Sequence, residues 1–328
     1  MKGSMGWLWM RGGIAALAAS GLALACGGGS SHRSLPDPAP AAMLVADGLD
    51  GPEGLCFDSS GRLYVGSRSG RITRIDPNGQ QSVFAETGRN LAGLAAGPQD
   101  EIFAAAFETG EVIAVSQQGV LRVAAFGLDG PNAIAFDAEE RPLVSAFGLG
   151  GQPQIAVLED DATWHTLTAA IPSPNGLAFG RDGRLYVADT FMNRVVRLEI
   201  DRFGEASDPE VYASGLPLPD GIAFDEEGNL FVAGGGLITV VTADPERAQR
   251  PYATEGVLDN PASLAFGFGE PAPASGLSTD GPIFPRDVLF FTNFGAPLGS
   301  GHSVASVFVG IDGLPLFAPR GSPQRPGN

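Results

Sequence analysis

The sequence predicts an all-β fold, a six-bladed β-propeller of four-stranded antiparallel blades, on three observations. A short phrase recurs six times, as EGLCF, AGLAA, NAIAF, NGLAF, DGIAF and ASLAF, opening at Glu53, Ala92, Asn132, Asn175, Asp220 and Ala262. The intervals between copies are 39, 40, 43, 45 and 42 residues, the period of a repeat that forms one blade. Each copy is followed by further short apolar runs separated by turn formers, so four strands fit into one period.

The recurring phrase supplies the first strand of each blade. Second strands are predicted at Leu63–Val65, Ile102–Ala104, Leu143–Ser145, Leu185–Val187, Leu230–Val232 and Leu289–Phe291. Between first and second runs lie Ser60-Gly61, Asp182-Gly183 and Glu227-Gly228, the chemistry of tight hairpins. Third strands follow at Ile72–Ile75, Val112–Val115, Ile155–Leu158, Val195–Leu198, Leu237–Val241 and Val304–Val309. Fourth, more polar runs include Ser82–Ala85, Leu121–Ala124 and Val211–Ala213.

Polarity orders the strands within a blade. First strands hold Gly and Ala with few charges, which suits a crowded axis, whereas fourth strands carry Arg122, Glu210 and Arg250. Leu44–Ala46, before Glu53, resembles the outer-strand phrase Val211–Ala213 before Asp220, so the N-terminal strand is expected to complete the last blade. Leu314–Ala318 competes for that place. Chain direction puts the loops between second and third strands on the same face as the starts of the first strands. Those loops carry Arg68, Phe107, Phe147, Phe191, Phe294 and His302, while the Pro- and Gly-rich insertion at 267–287 falls on the opposite face.

Ahead of the repeats, Lys2 and Arg11 precede an apolar run from Ile14 to Ala25, the layout of a secretory leader. That run is too short to span a bilayer as a helix. It ends in Leu22-Ala23-Leu24-Ala25-Cys26, which resembles a bacterial lipobox; an ordinary cleaved leader is the alternative. The expected organisation is a lipoprotein leader over 1–25, lipidation at Cys26, a flexible tether over 26–41, the propeller over 42–318 and a tail over 319–328. Such a protein belongs in the bacterial cell envelope, facing the periplasm or exterior, and meets the membrane by its lipid anchor only.

Composition removes several functions. With Cys26 acylated, Cys56 is left without a disulfide partner, and it occupies a position held by alanine in the other five copies, so a small buried residue accounts for it. The formal net charge is −17, and −19 once Lys2 and Arg11 leave with the leader; such a surface repels nucleic acid. Lys2 is the sole lysine, which removes lysine-based mechanisms from the mature protein. The three histidines, His32, His165 and His302, form no zinc motif, and neither a GxSxG elbow nor a phosphate-binding glycine loop is present.

The chemistry left is in the ring. Glu53, Asn132, Asn175 and Asp220 hold equivalent places in a pseudo-symmetric repeat, and two carboxylates with two amide oxygens near one axis suit a hard divalent cation such as Ca²⁺. Asn and Asp before Gly are also turn formers, so strand-opening chemistry explains each of them singly. Glutamate has no such preference. If Phe107, Phe147, Phe191 and Phe294 reach the mouth, they favour a less polar substrate; packing between loops is the other reading.

These residues resemble the senescence-marker-protein-30, gluconolactonase and luciferin-regenerating-enzyme group over essentially all of 42–318. The resemblance implies a six-bladed propeller holding a divalent cation through a Glu of blade one, Asn of blades three and four and Asp of blade five, which fall on Glu53, Asn132, Asn175 and Asp220. It implies a calcium-dependent hydrolase of lactones or related esters, with Asp220 as catalytic base or nucleophile, Glu53 and Asn175 anchoring the ion, and Asn132 orienting substrate or completing the metal shell. Sugar-lactonase members tend to carry an Arg two residues before the blade-three Asn and Asp-Gly after it; here Gly130 and Ala133-Ile134 stand there. The run PNGLAFGRDGRLYVADTFMNRVVRL, from Pro174, is equally similar to an NHL repeat. That similarity implies the alternative function, a non-catalytic propeller lipoprotein that binds a ligand or protein. Oligomeric state is not encoded in any of these features.

Overall fold

The computed structural model describes residues 33–38, 40–253, 256–270, 284–296 and 298–314. The predicted leader, Cys26, the start of the tether, most of the 267–287 insertion, residues 315–318 of the alternative closing segment and the tail lie outside the described residues. The described chain forms six four-stranded antiparallel sheets, the six-bladed propeller expected from the repeat. Blade one runs outward through Pro52–Phe57, Leu63–Ser67, Arg71–Ile75 and Gln81–Glu86. The innermost strands of the other blades are Leu91–Ala96, Pro131–Phe136, Pro174–Phe179, Pro219–Phe224 and Pro261–Phe266.

Second strands such as Ile102–Ala106 and Leu230–Gly234 are buried throughout and read as continuous apolar runs, whereas the residues of the outer strand Trp164–Thr168 are all half-buried or exposed. The core lies between neighbouring blades. Edge-to-face rings bridge them: Phe103–Phe136 at 5.2 Å, Tyr186–Phe224 at 4.7 Å, Phe231–Phe266 at 5.6 Å and Phe57–Phe290 at 5.4 Å. Cys56 is buried in such a layer with Tyr64 and Leu94, and burial, reinforced by Asp58, pushes its thiol far up, so it packs as a small inert residue.

Met43–Ala46 closes the ring. It pairs antiparallel with Ser303–Phe308, with Met43 opposite Ser306, Leu44 opposite Ala305 and Ala46 opposite Val304. The N-terminal strand is therefore the outer strand of blade six. Leu314 lies elsewhere, its N–H donating to the Phe224 carbonyl of blade five at 2.8 Å.

All six innermost strands share one irregularity. In blade one Pro52 faces Ser67 and Leu55 faces Val65, so three steps on the inner strand oppose two on its neighbour. The same break separates Leu91 from Leu94, Pro131 from Ile134, Pro174 from Leu177, Pro219 from Ile222 and Pro261 from Leu264. Each is a β-bulge, which bends the strand and re-aims a side chain. Its first residue is in every case the variable position of the repeat: Glu53, Ala92, Asn132, Asn175, Asp220 or Ala262.

The second bulge residue sets how closely blades approach. A Cβ on Gly54, Gly93, Gly176 or Gly221 would stand 2.3, 2.4, 2.2 or 2.3 Å from the carbonyl oxygen of Ala92, Asn132, Asp220 or Ala262, each in the next blade. Blades three and six carry Ala133 and Ser263 instead, and there the adjacent strand supplies a hydroxyl. Ser145 Oγ accepts the Ala133 N–H at 2.9 Å; Thr292 Oγ1 accepts the Ser263 N–H at 3.0 Å and donates to the Glu53 carbonyl at 2.7 Å. Gly176→Ala sets a methyl against fixed backbone, and urea unfolding should register a loss of about 1–3 kcal/mol; an unchanged midpoint would show that the seam yields.

Candidate active site

The bulges bring Glu53, Asn132, Asn175 and Asp220 to one axial cavity of about 50 Å³. Gly93, Ala262 and Ser263 complete the same level, so the two blades without an oxygen ligand present small residues or backbone. Two residues further along each strand, Leu55, Leu94, Ile134, Leu177, Ile222 and Leu264 line the cavity with one aliphatic side chain per blade. All six are more than nine-tenths buried. A polar ring thus rests on an apolar one.

That stacking governs the carboxylates. Burial raises Asp220 to about 7, against a hydrogen bond from Asn175 that favours its charged form. Burial raises Glu53 further, to about 8; the charge on Asp220 adds to the rise and Arg68 opposes it. Both carboxyls are thus held above the ordinary carboxylate range, and a charge on Asp220 further favours the protonated form of Glu53. Asn132 is 8% exposed and lines the same cavity.

Two half-buried carboxylates that resist ionisation, one amide bonded to a carboxylate and a second amide form an all-oxygen donor set. This set fits a hard divalent cation, which would supply the charge that Arg68 alone provides now. No cluster of three or more His, Cys, Asp or Glu exists among the described residues to compete for a softer metal.

A second ring surrounds the mouth. In five blades the residue after the second strand donates its backbone N–H to the carbonyl two residues before a bulge position: Arg68 to Gly51, Phe107 to Asn90, Phe147 to Gly130, Thr190 to Ser173 and Phe294 to Asn260, at 2.9 to 3.2 Å. Behind Asn175, buried Asp189 accepts from Ser173 N–H at 3.0 Å, Ser173 Oγ at 2.7 Å and Arg194 Nε at 2.8 Å, which fixes the turn that presents Asn175.

The four phenylalanines separate at this level. Phe107 and Phe147 stack edge-to-face at 6.4 Å, and Phe147 and Phe191 at 5.8 Å, a row over blades two to four. Phe294 stands apart on blade six, beneath the Arg68 guanidinium at 6.0 Å. None of the four lines the axial cavity. The aliphatic ring, Arg68, Asp189 and the Ser145 and Thr292 hydroxyls are absent from the ligand set read from sequence. Of these only the aliphatic ring had a plain signal, the Leu or Ile at the third letter of every repeat phrase.

Residues 143–271 match the profile of the SMP-30/Gluconolactonase/LRE-like region. The match covers Asn175 and Asp220; Glu53 falls in a second match, over residues 39–75, to the strictosidine synthase-like N-terminal profile. No curated protein sequence matches the chain. Among solved structures, calcium-binding regucalcin from Agrobacterium tumefaciens superposes with a TM-score of 0.66 at 20% identity, over 86% of this chain and 97% of that one. A gluconolactonase from Xanthomonas campestris gives 0.64 at 17%, over 82% and 89%, and luciferin-regenerating enzyme 0.64 at 18%, over 84% and 98%. At these identities the likeness establishes the fold.

The raised carboxylates set a pH dependence. Between the ordinary glutamate range and about 8, Glu53 keeps its proton in the folded chain and loses it in the unfolded one. Unfolding then releases a proton, and stability falls as pH rises through that window. In chelator-containing buffer the melting temperature should drop from pH 5 to pH 8. Asp220, raised to about 7, and Asp225, raised by burial to about 6 at the other end of blade five, contribute to the lower part. The upper part should flatten in Glu53→Gln; an unchanged profile in that variant would remove Glu53 as its source.

Proposed function

We propose that this protein is a divalent-cation-dependent hydrolase of lactones or related esters, exported and held at a membrane through Cys26. The observation that carries the reading is the convergence of Glu53, Asn132, Asn175 and Asp220 on one small cavity from bulges in four different blades. The matched profile and the lactonase and calcium-binding names among the fold's relatives support it.

Glu53, Asn175 and Asp220 would hold Ca²⁺ or a similar cation, with Asn132 completing the shell or meeting substrate. The ion would supply polarisation of the ester carbonyl and stabilisation of the developing oxyanion. Asp220 then acts as general base: it takes a proton from the attacking water as the new C–O bond forms, and returns it to the alkoxide oxygen as the ester C–O bond breaks. Asn175, bonded to Asp220, fixes the orientation of that carboxylate. Asn132 would donate to the substrate from the cavity wall, and the aliphatic ring keeps water from the lower side of the site.

Calorimetry of chelated protein with Ca²⁺ should show one site, lost or weakened at least tenfold in Glu53→Gln. Turnover of an aryl-ester and lactone panel should fall by about 10²–10⁴ in Asp220→Asn, the usual contribution of a general base. Stoichiometric Ca²⁺ binding with no turnover across the panel would instead favour a binding propeller of the NHL type, a reading the exposed Phe191 also suits. Anchoring is separately testable: fatty-acid labelling should be present in the full chain and absent from Cys26→Ser.

A further inference from the structure

Any substrate of this site must lie mostly outside it. The axial cavity, at about 50 Å³, admits an ion and a few small atoms, whereas pockets that enclose an organic ligand measure roughly 300–1,000 Å³. The bulk of the substrate therefore rests on the rim, and the rim is asymmetric. Over blades two to four stand Phe107, Phe147 and Phe191 in edge-to-face succession, extended by Leu149 and Met192. Over blades six and one stands Arg68, held by the Leu298 carbonyl at 3.0 Å and seated on Phe294.

The aromatic row is continuous with the ligand ring. Phe147 N–H bonds to the Gly130 carbonyl, two residues before Asn132, and a Cβ on Gly130 would lie 3.1 Å from Leu149 Cγ and 3.4 Å from Phe107 Cε2. Phe191 N–H bonds to Ser173 Oγ, two residues before Asn175. The row thus begins directly above the two amide ligands and runs outward to Phe191, which is 69% exposed. Its inner members pack between loops; its outer end covers nothing in the folded chain.

We infer that this row is the specificity surface of the site, taking an alkyl or aryl group attached to the lactone or ester while the carbonyl enters the ring. The inference rests on the hydrolase reading for the position of the carbonyl. It assigns substrate class by sidedness: the apolar group lies toward blades two to four, and a polar or anionic group is accepted only toward Arg68. A small polyhydroxylated lactone would leave the aromatic row uncovered and gain nothing from it.

Two series of equal tail lengths test this, γ-alkyl lactones for turnover and the corresponding non-hydrolysable γ-alkyl lactams for calorimetric binding. With Ca²⁺ present, kcat/KM and lactam affinity should rise about two- to fourfold per methylene over the first carbons, as burial of a methylene predicts. Phe147→Ala and the surface variant Phe191→Ser should flatten both slopes; Phe294→Ala should keep them. Turnover that does not depend on tail length overturns the inference and leaves the hydrolase standing. Tail-dependent lactam binding without any turnover keeps the apolar surface and overturns the hydrolase. Absence of both overturns both.

Discussion

The close approach of backbone to backbone around the axis is the constraint on which the rest of this structure depends. At four of six seams a glycine lets one inner strand settle against the next blade's carbonyl, at distances no side chain permits. Because the same carbonyl belongs to the residue that opens each bulge, packing and side-chain aim are set by one piece of geometry. The two seams that carry a Cβ, at Ala133 and Ser263, lie on opposite blades and recruit Ser145 and Thr292 to satisfy the amide that the bulge frees from the ladder.

The electrostatics follow from that packing. Drawing six inner strands together also draws six Leu and Ile side chains into a layer beneath the polar ring, and this layer keeps Glu53 and Asp220 from ionising freely. Without it, two carboxylates at a solvated mouth would be ordinary anions with little to gain from a cation. With it, their ionisation is coupled to whatever positive charge arrives. Arg68, on a neighbouring loop and tied to Leu298, is close enough to bias Glu53, yet it is committed at the rim and leaves the axis open.

Much of the fold is legible in the sequence because a propeller repeats its reasons: the same Leu or Ile and the same small residue return in every period, and a hairpin glycine returns in three of them. Strand order and the closing role of Leu44–Ala46 follow from polarity and phrase similarity. The outer strands of blades three and five, WHTLT and QRPYA, are harder to see, since an edge strand needs little apolar patterning and tolerates Pro251. The bulge is invisible in sequence for a different reason. All six copies contain it, so no copy differs in length to betray it. For the same reason the ligand ring could be named but not aimed. The four rim phenylalanines looked equivalent by position, and their division into a row of three and one partner of Arg68 depends on loop paths that carry no sequence signature.

The closure of the ring by Met43–Ala46 also determines how the molecule meets mechanical load. This strand is held to Ser303–Phe308 by a short antiparallel register, and the segment that leads into it is docked as well: Ala42 bridges Gly256 and the Pro36 carbonyl accepts from Arg250. Tension along that segment meets these contacts before it reaches the paired strand. The few bonds that make six wedges into a closed wheel are therefore shielded from load by the segment ahead of them, which must peel away before blade six can part.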